Sequence, residues 1–273
     1  MTRLNFKLTA KLIAALFLLF SILPSLAAED IQGLPKAQLA NDIKFKDAWS
    51  FHLSPYLWFP GLSGHVNVRG NHVGFSNQID QLLHHLDSTI GAHFEASRGN
   101  WSLLLDPDYI KITQHPGLRT TNSKTTYETT ITDIGAFYNI YSIKMPRADY
   151  NCSSVEIQGA GRIITFHTTI DFLNGATRAS VSDTSSVVVP ILGARLKYNF
   201  NPKWHTWLGG DFGGFEVSHV SSTWSGIFGV TYNFTPAYDV SLAYKAMGVN
   251  YSIHGITIST MLQGPILAFG YSW

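Results

Sequence analysis

Charge is scarce in this chain. Asp, Glu, Lys and Arg make up 14% of its 273 residues, and the 19 basic and 18 acidic side chains nearly cancel. So small and balanced a charge excludes the basic stripe with which proteins hold nucleic acid. Cysteine is scarcer still: the single Cys152 has no partner for an internal disulfide and is read as a loop residue. His84-His85 and the scattered histidines lack a recognisable ligand spacing, so neither a metal nor a cofactor is expected. Long hydrophobic runs are missing as well, apart from Leu12 to Leu23. That run falls short of the ~20 apolar residues of a spanning helix.

Its flanks give the run another meaning. Arg3, Lys7 and Lys11 precede it, and Ser25-Leu26-Ala27 follows with small residues at the two positions a signal peptidase reads. Residues 1–27 are therefore expected to be a signal peptide, with cleavage after Ala27. No cysteine stands near that site, which argues against a lipoprotein. Residues 28–47, polar and containing Pro35, read as a periplasmic lead-in.

Aromatic residues, by contrast, are plentiful: 17 Phe, 12 Tyr and 7 Trp. They fall in alternating patterns. Successive side chains of a strand point to opposite faces, so Leu267, Phe269, Tyr271 and Trp273 share one face and Ala268, Gly270 and Ser272 the other. An aromatic strand at a sheet edge invites pairing with other chains; closing the sheet removes the edge. From Trp49 to Phe59 the same alternation sets Trp49, Phe51, Leu53, Pro55, Leu57 and Phe59 against Ser50, His52, Ser54, Tyr56 and Trp58. Strands near Ile90 to Arg98 and Trp101 to Thr113 flank Gly99-Asn100. Others near Val187 to Phe200 and Trp204 to Val217 flank Asn201-Pro202, and a third pair, Thr223 to Phe234 and Asp239 to Tyr251, flanks Thr235-Pro236. Each pair reads as a tight hairpin.

Adding Tyr127 to Tyr138, Val155 to Phe172 and Thr260 to Trp273 gives ten. The fold class expected is an all-β, closed, antiparallel up-and-down transmembrane barrel over residues 48–273, with eight and twelve as the neighbouring even strand numbers. Twelve would follow if Gly64 to Val68 and His72 to Ser76 formed a further hairpin. The tight turns belong on the periplasmic side and segments 60–89, 114–126, 173–186 and 252–259 outside. Ile79, Leu82, Leu83 and Leu86 are spaced as one face of a short helix in the first outer loop.

Alternation also sorts the charges. His93 and Glu95 fall on the lumen face of one strand, Asp106 and Asp108 on that of the next, with Asp133 joining them. Arg195, Lys197, Asp211 and Lys245 fall opposite Leu192, Leu196, Phe212, Leu242 and Tyr244. Acids and bases should therefore meet inside the barrel, because buried charges need partners. Such a network either fills the lumen or lines a narrow, charge-selective water path. Ten strands lie near the filled end of the barrel range, far from the 16 to 18 of general porins, so a wide pore is excluded.

Asp106-Pro107-Asp108 invites comparison with the paired aspartates of the ten-stranded omptin proteases. The match is poor: both aspartates lie in the first half of an outward-running strand, and His219 has Glu216 three residues before it but no Asp two before. No catalytic residues are assigned.

With these features in place the chain resembles the small outer-membrane β-barrel proteins of Gram-negative bacteria, the group that includes OmpA-like and OmpW-like barrels. Within that group, Trp49-Ser50-Phe51-His52-Leu53-Ser54-Pro55-Tyr56-Leu57-Trp58, followed by Gly61 and Gly64 and then Asn100-Trp101-Ser102-Leu103 with Asp106, resembles a set of proteobacterial outer-membrane barrels, and the resemblance covers residues 48–273. It implies an outer-membrane location, contact with outer-membrane lipids and lipopolysaccharide, and reading of Leu267, Phe269, Tyr271 and Trp273 by the barrel-assembly machinery. The function expected is structural or surface interaction without catalysis; a narrow channel or uptake protein, and a membrane-embedded hydrolase, are the alternatives. Fold alone does not choose among them.

Overall fold

A computed structural model describes residues 48–68, 71–77, 86–114, 117–118, 121–144, 151–174, 177–253 and 256–273. The expected signal peptide, the lead-in and most of the expected helix, at 78–85, lie outside the described residues; Leu86, placed on that helix by its spacing, instead opens a strand. The strands are β1 (Ser50–Trp58), β2 (Gly61–Val68), β3 (Asn71–Asn77), β4 (Leu86–Arg98), β5 (Trp101–Gln114), β6 (Gly117–Leu118), β7 (Thr121–Lys144), β8 (Asn151–Asn174), β9 (Thr177–Asn199), β10 (Trp204–Val217), β11 (Val220–Asn233), β12 (Tyr238–Ile253) and β13 (Ile256–Ser272). Cys152, expected in a loop, is the second residue of β8.

Ten of these strands close a ring in the order β1-β4-β5-β7-β8-β9-β10-β11-β12-β13, and β13 pairs back to β1. All neighbours run antiparallel. The closing seam joins Phe51 and Trp273 through a reciprocal pair of backbone hydrogen bonds of 2.9 and 3.0 Å. The Phe51 and Trp273 rings stack over it at 5.5 Å.

The additional hairpin at 61–77 exists, but it does not enlarge the ring to twelve. β1 pairs with β13 from His52 opposite Ser272 to Trp58 opposite Ile266, and β2 continues up the same edge from Gly61 opposite Gln263 to Val68 opposite Ile256. The two are one strand broken at Phe59-Pro60, and β3 folds back on β2 alone among the described pairings. At the break Phe59 N–H donates to the Pro265 carbonyl at 2.9 Å. The chain passes so close to β13 there that a Cβ on Gly264 would lie 1.9 Å from the Phe59 carbonyl oxygen, so position 264 has to be glycine.

The ring inverts the soluble pattern. Leu53, Leu57, Ile90, Leu103, Ile134, Val188, Leu192, Leu196, Phe212, Leu242 and Phe269 are exposed on its outer face. Alternation makes their neighbours the buried ones, as in β1, where Ser54, Tyr56 and Trp58 point inward. Above the apolar band the same outward-facing positions become polar, with Thr132, Thr165 and Ser186 succeeding Ile134, Ile163 and Val188.

Strand length is uneven. A tilted strand crosses a bilayer in 9–11 residues, whereas β7 and β8 have 24 and β9 has 23. The segments 114–126 and 173–186, expected as loops, are largely the ends of these strands. Their Thr and Ser residues suit extended chain but carry no apolar alternation in sequence. Beside β9, β10 and β11 stop early, at a turn where Phe215, Glu216, Ser218 and His219 adopt φ of 48, 62, 55 and 68°. One side of the rim therefore stands well above the other.

Candidate functional site

Among the described residues the barrel gathers its charged side chains in the interior, and strand register explains how. Glu156 of β8 lies directly opposite Arg195 of β9. The guanidinium donates from Nε to Glu156 at 2.8 Å, and from its two terminal nitrogens to Glu95 of β4 at 3.0 and 2.7 Å. It covers the Phe137 ring at 3.8 Å. Half-exposed Lys197 adds contacts of 3.2 Å to Glu156 and 3.7 Å to Glu95. Such fork-like charge-assisted bonds tie three strands together across the lumen.

The next group lies further from the turns. His93 places Nε2 3.2 Å from Glu95 and Nδ1 3.4 Å from Asp106. Lys245 of β12 donates to Asp108 at 2.6 Å and sits 5.0 Å over the Trp58 ring. Tyr56, whose ring fills the space a Cβ on Gly91 would need, brings its hydroxyl within 2.7 Å of both Asp106 and Asp108.

A third group centres on Arg162, opposite Asp133 on β7. Its Nε and one terminal nitrogen donate to Asp133 at 2.8 and 2.7 Å; the other donates to Thr223 at 3.1 Å and approaches Asp211 at 3.0 Å. Ser225, opposite Asp211, donates to it in turn. Arg162 and Asp108 are each 1% exposed.

Beyond the charges the lumen turns apolar. Trp58, Ile110, Ile131, Ile164, Val187, Val189, Met247 and Val249 form one buried cluster, with Ile164 and Val189 at 0% exposure.

All nine charged or titratable residues placed on the lumen face from sequence occupy it, in these three groups. Glu156, Arg162 and Tyr56 belong to the same network and were not singled out. On β8 the signal was blunted by Gly159 and Gly161, which occupy the outward positions between Ile157 and Ile163 and so erase the apolar half of the alternation. Nearer the turns, His52 Nδ1 lies 3.0 Å from Ser272 Oγ and 3.8 Å from Asp239. Both partners meet the same ring nitrogen, whereas a serine–histidine–aspartate relay needs them on opposite ones. Among the described residues no cluster of three or more His, Cys, Asp or Glu is placed to hold a metal ion.

No family model matches this sequence, and no curated protein matches it. Solved structures do. The outer membrane protease OmpT of Escherichia coli superposes with a TM-score of 0.56 at 11% identity, covering 82% of this chain and 97% of that one. The chain has the fold of an outer-membrane β-barrel. Two other barrels align over similar lengths with lower overlap: the attachment invasion locus protein Ail of Yersinia pestis, at 10% identity and TM-score 0.34 over 83% and 99% of the chains, and Neisserial surface protein A, at 10% and 0.29 over 81% and 95%. The start of β1 and the end of β13 share one end of the barrel with the turns after β4, β9 and β11, and the tall β7–β9 wall rises at the other end. On that wall Lys111 binds Glu128 at 2.8 Å, a hydrogen bond that holds the glutamate below its ordinary carboxylate range.

Proposed function

We propose that this outer-membrane barrel is sealed and acts through its surface, as a structural and interaction protein rather than a pore or an enzyme. The observation that carries the reading is the two-tier filling of the lumen: an ion-paired tier, then a buried and mainly apolar tier built on Trp58, Ile110, Ile131, Ile164 and Val189. Catalysis lacks support on the same ground. The paired Asp106 and Asp108 are already engaged by Tyr56, Lys245 and His93 inside the barrel, out of reach of a large substrate.

The partners follow from the outside of the barrel. Its apolar band meets outer-membrane lipid, and the Thr- and Ser-rich wall above it meets lipopolysaccharide. The aromatic face of β13 is the part the assembly machinery would read. The alternating strands and the aromatic ending support placing the chain among the small barrels of the OmpA-like and OmpW-like group, and residues 49–58 and 100–103 are similar to those of a set of proteobacterial barrels.

A second reading, uptake of an apolar solute, is favoured by one feature: Leu62, Phe166, Tyr251 and Leu262, only partly buried, extend the apolar tier toward the outer mouth. Conductance of the refolded protein in planar bilayers tests the sealed barrel. Traces indistinguishable from bare bilayer are expected, and stepwise ohmic openings would contradict it. Saturable binding of a fluorescent fatty acid, lost on replacing Phe166 by Asp, would favour uptake.

A further inference from the structure

Proton bookkeeping inside the ionic tier leads beyond a filled barrel. A phenol has one hydrogen to give and lone pairs to accept with. Tyr56 nevertheless has two carboxylate oxygens at hydrogen-bond distance, Oδ1 of Asp106 and Oδ1 of Asp108, each 2.7 Å from its hydroxyl oxygen. If the phenol donates to one, the other contact sets two lone pairs against each other unless that carboxyl brings a proton of its own. Two carboxyl groups that crowd one site do not both ionise readily.

Charge counting asks for the same proton. His93 has both ring nitrogens directed at carboxylates, Nδ1 at Asp106 and Nε2 at Glu95, and only the imidazolium donates from both. With His93 counted as a cation beside Arg162, Arg195, Lys197 and Lys245, five positive groups face the six carboxyls of Glu95, Asp106, Asp108, Asp133, Glu156 and Asp211. One acid is in excess. An uncompensated charge in a dry interior is costly, and one added proton closes the count.

We infer that Asp106, Tyr56 and Asp108 form a proton-binding site, in which one proton beyond the phenolic hydrogen is shared by the two carboxyls through the Tyr56 hydroxyl. Lys245 from β12 and His93 from β4 face the pair from either side and hold its remaining negative charge. The site links β1, β5, β12 and β4 at the level where the ionic tier gives way to the apolar one.

Infrared difference spectroscopy of the full chain, refolded in lipid at neutral pH, tests this. The expected result is a protonated-carboxyl C=O stretching band that shifts to lower frequency on transfer to D2O, persists in Glu156→Gln, and disappears in Asp106→Asn or Asp108→Asn. Asp108→Asn also removes the partner of Lys245 and risks misfolding; Asp106→Asn keeps that ion pair and carries the test alone if needed. Absence of any protonated-carboxyl band in the folded wild type overturns the inference, as does a band that survives Asp106→Asn in the folded barrel.

Discussion

Arg162 concentrates the energetics of this interior in one side chain. It is held by Asp133, Asp211 and Thr223 from three other strands and is almost completely buried. Replacing it by Met leaves two aspartates without their cation, and loss of one partner from a buried pair costs about 3–5 kcal/mol. Chemical unfolding in lipid vesicles should show a loss of that size; a change under about 1 kcal/mol, the range of a surface pair, would mean that water reaches the site. The pairings were legible in sequence only where alternation was clean. His93 and Glu95 on β4, Asp106 and Asp108 on β5, and Arg195 and Lys197 on β9 each alternate with apolar neighbours. Arg162 does not, because Gly161 beside it has no side chain to mark the lipid face. Tyr56 was seen on the mixed face of β1, but a phenol joins a charge network through geometry that spacing does not encode.

At the scale of the strand, the outward row decides membrane fit. Leu196 and Leu242, both exposed on the apolar band, stand in register with Leu208 of β10 and Leu267 of β13. Arg at either position is expected to cost about 2–4 kcal/mol near the bilayer midplane; an unchanged folding free energy in lipid would show that this face does not meet hydrocarbon. Gly264 offers a different test. A Val there would strike the Phe59 carbonyl, which the hydrogen bond to Pro265 fixes in place, so Gly264→Val should destabilise the barrel by about 1–3 kcal/mol. A neutral result in the same unfolding measurement would mean that the β1–β2 break is displaced from β13. The ring strands were legible because lipid outside and charge inside impose a strict two-residue period. Where β7, β8 and β9 leave the bilayer that constraint ends, and segments such as 121–126 and 177–186 read as loops although they continue the sheet. The β2–β3 hairpin was legible as a pair of strands, but its place on β13 depends on the kink at Pro60.

For the whole molecule, closure matters most. The ring has no edge at membrane depth because β13 completes the hydrogen bonding of β1, and Trp273 fastens that seam with its backbone bonds to Phe51 and its stacks on Phe51 and Tyr271. Removing Phe269 to Trp273 should abolish the heat-modifiable, folded band in gels. Trp273→Ala, which keeps the backbone bonds, should lower the folded yield less severely. Normal yield of the truncated chain would show that the seam does not need its last residues. The most direct measurement joins the seam covalently. His52 and Ser272 are paired across it with their side chains in contact, and neighbouring strands at such a pair lie within the span of a disulfide. In a His52→Cys, Ser272→Cys chain with Cys152 replaced by Ser, mild oxidation of the folded protein should give an intramolecular disulfide in near-quantitative yield, seen as faster migration after unfolding without reductant. Free thiols in the folded protein, or disulfides formed only between molecules, would contradict a barrel closed from first strand to last.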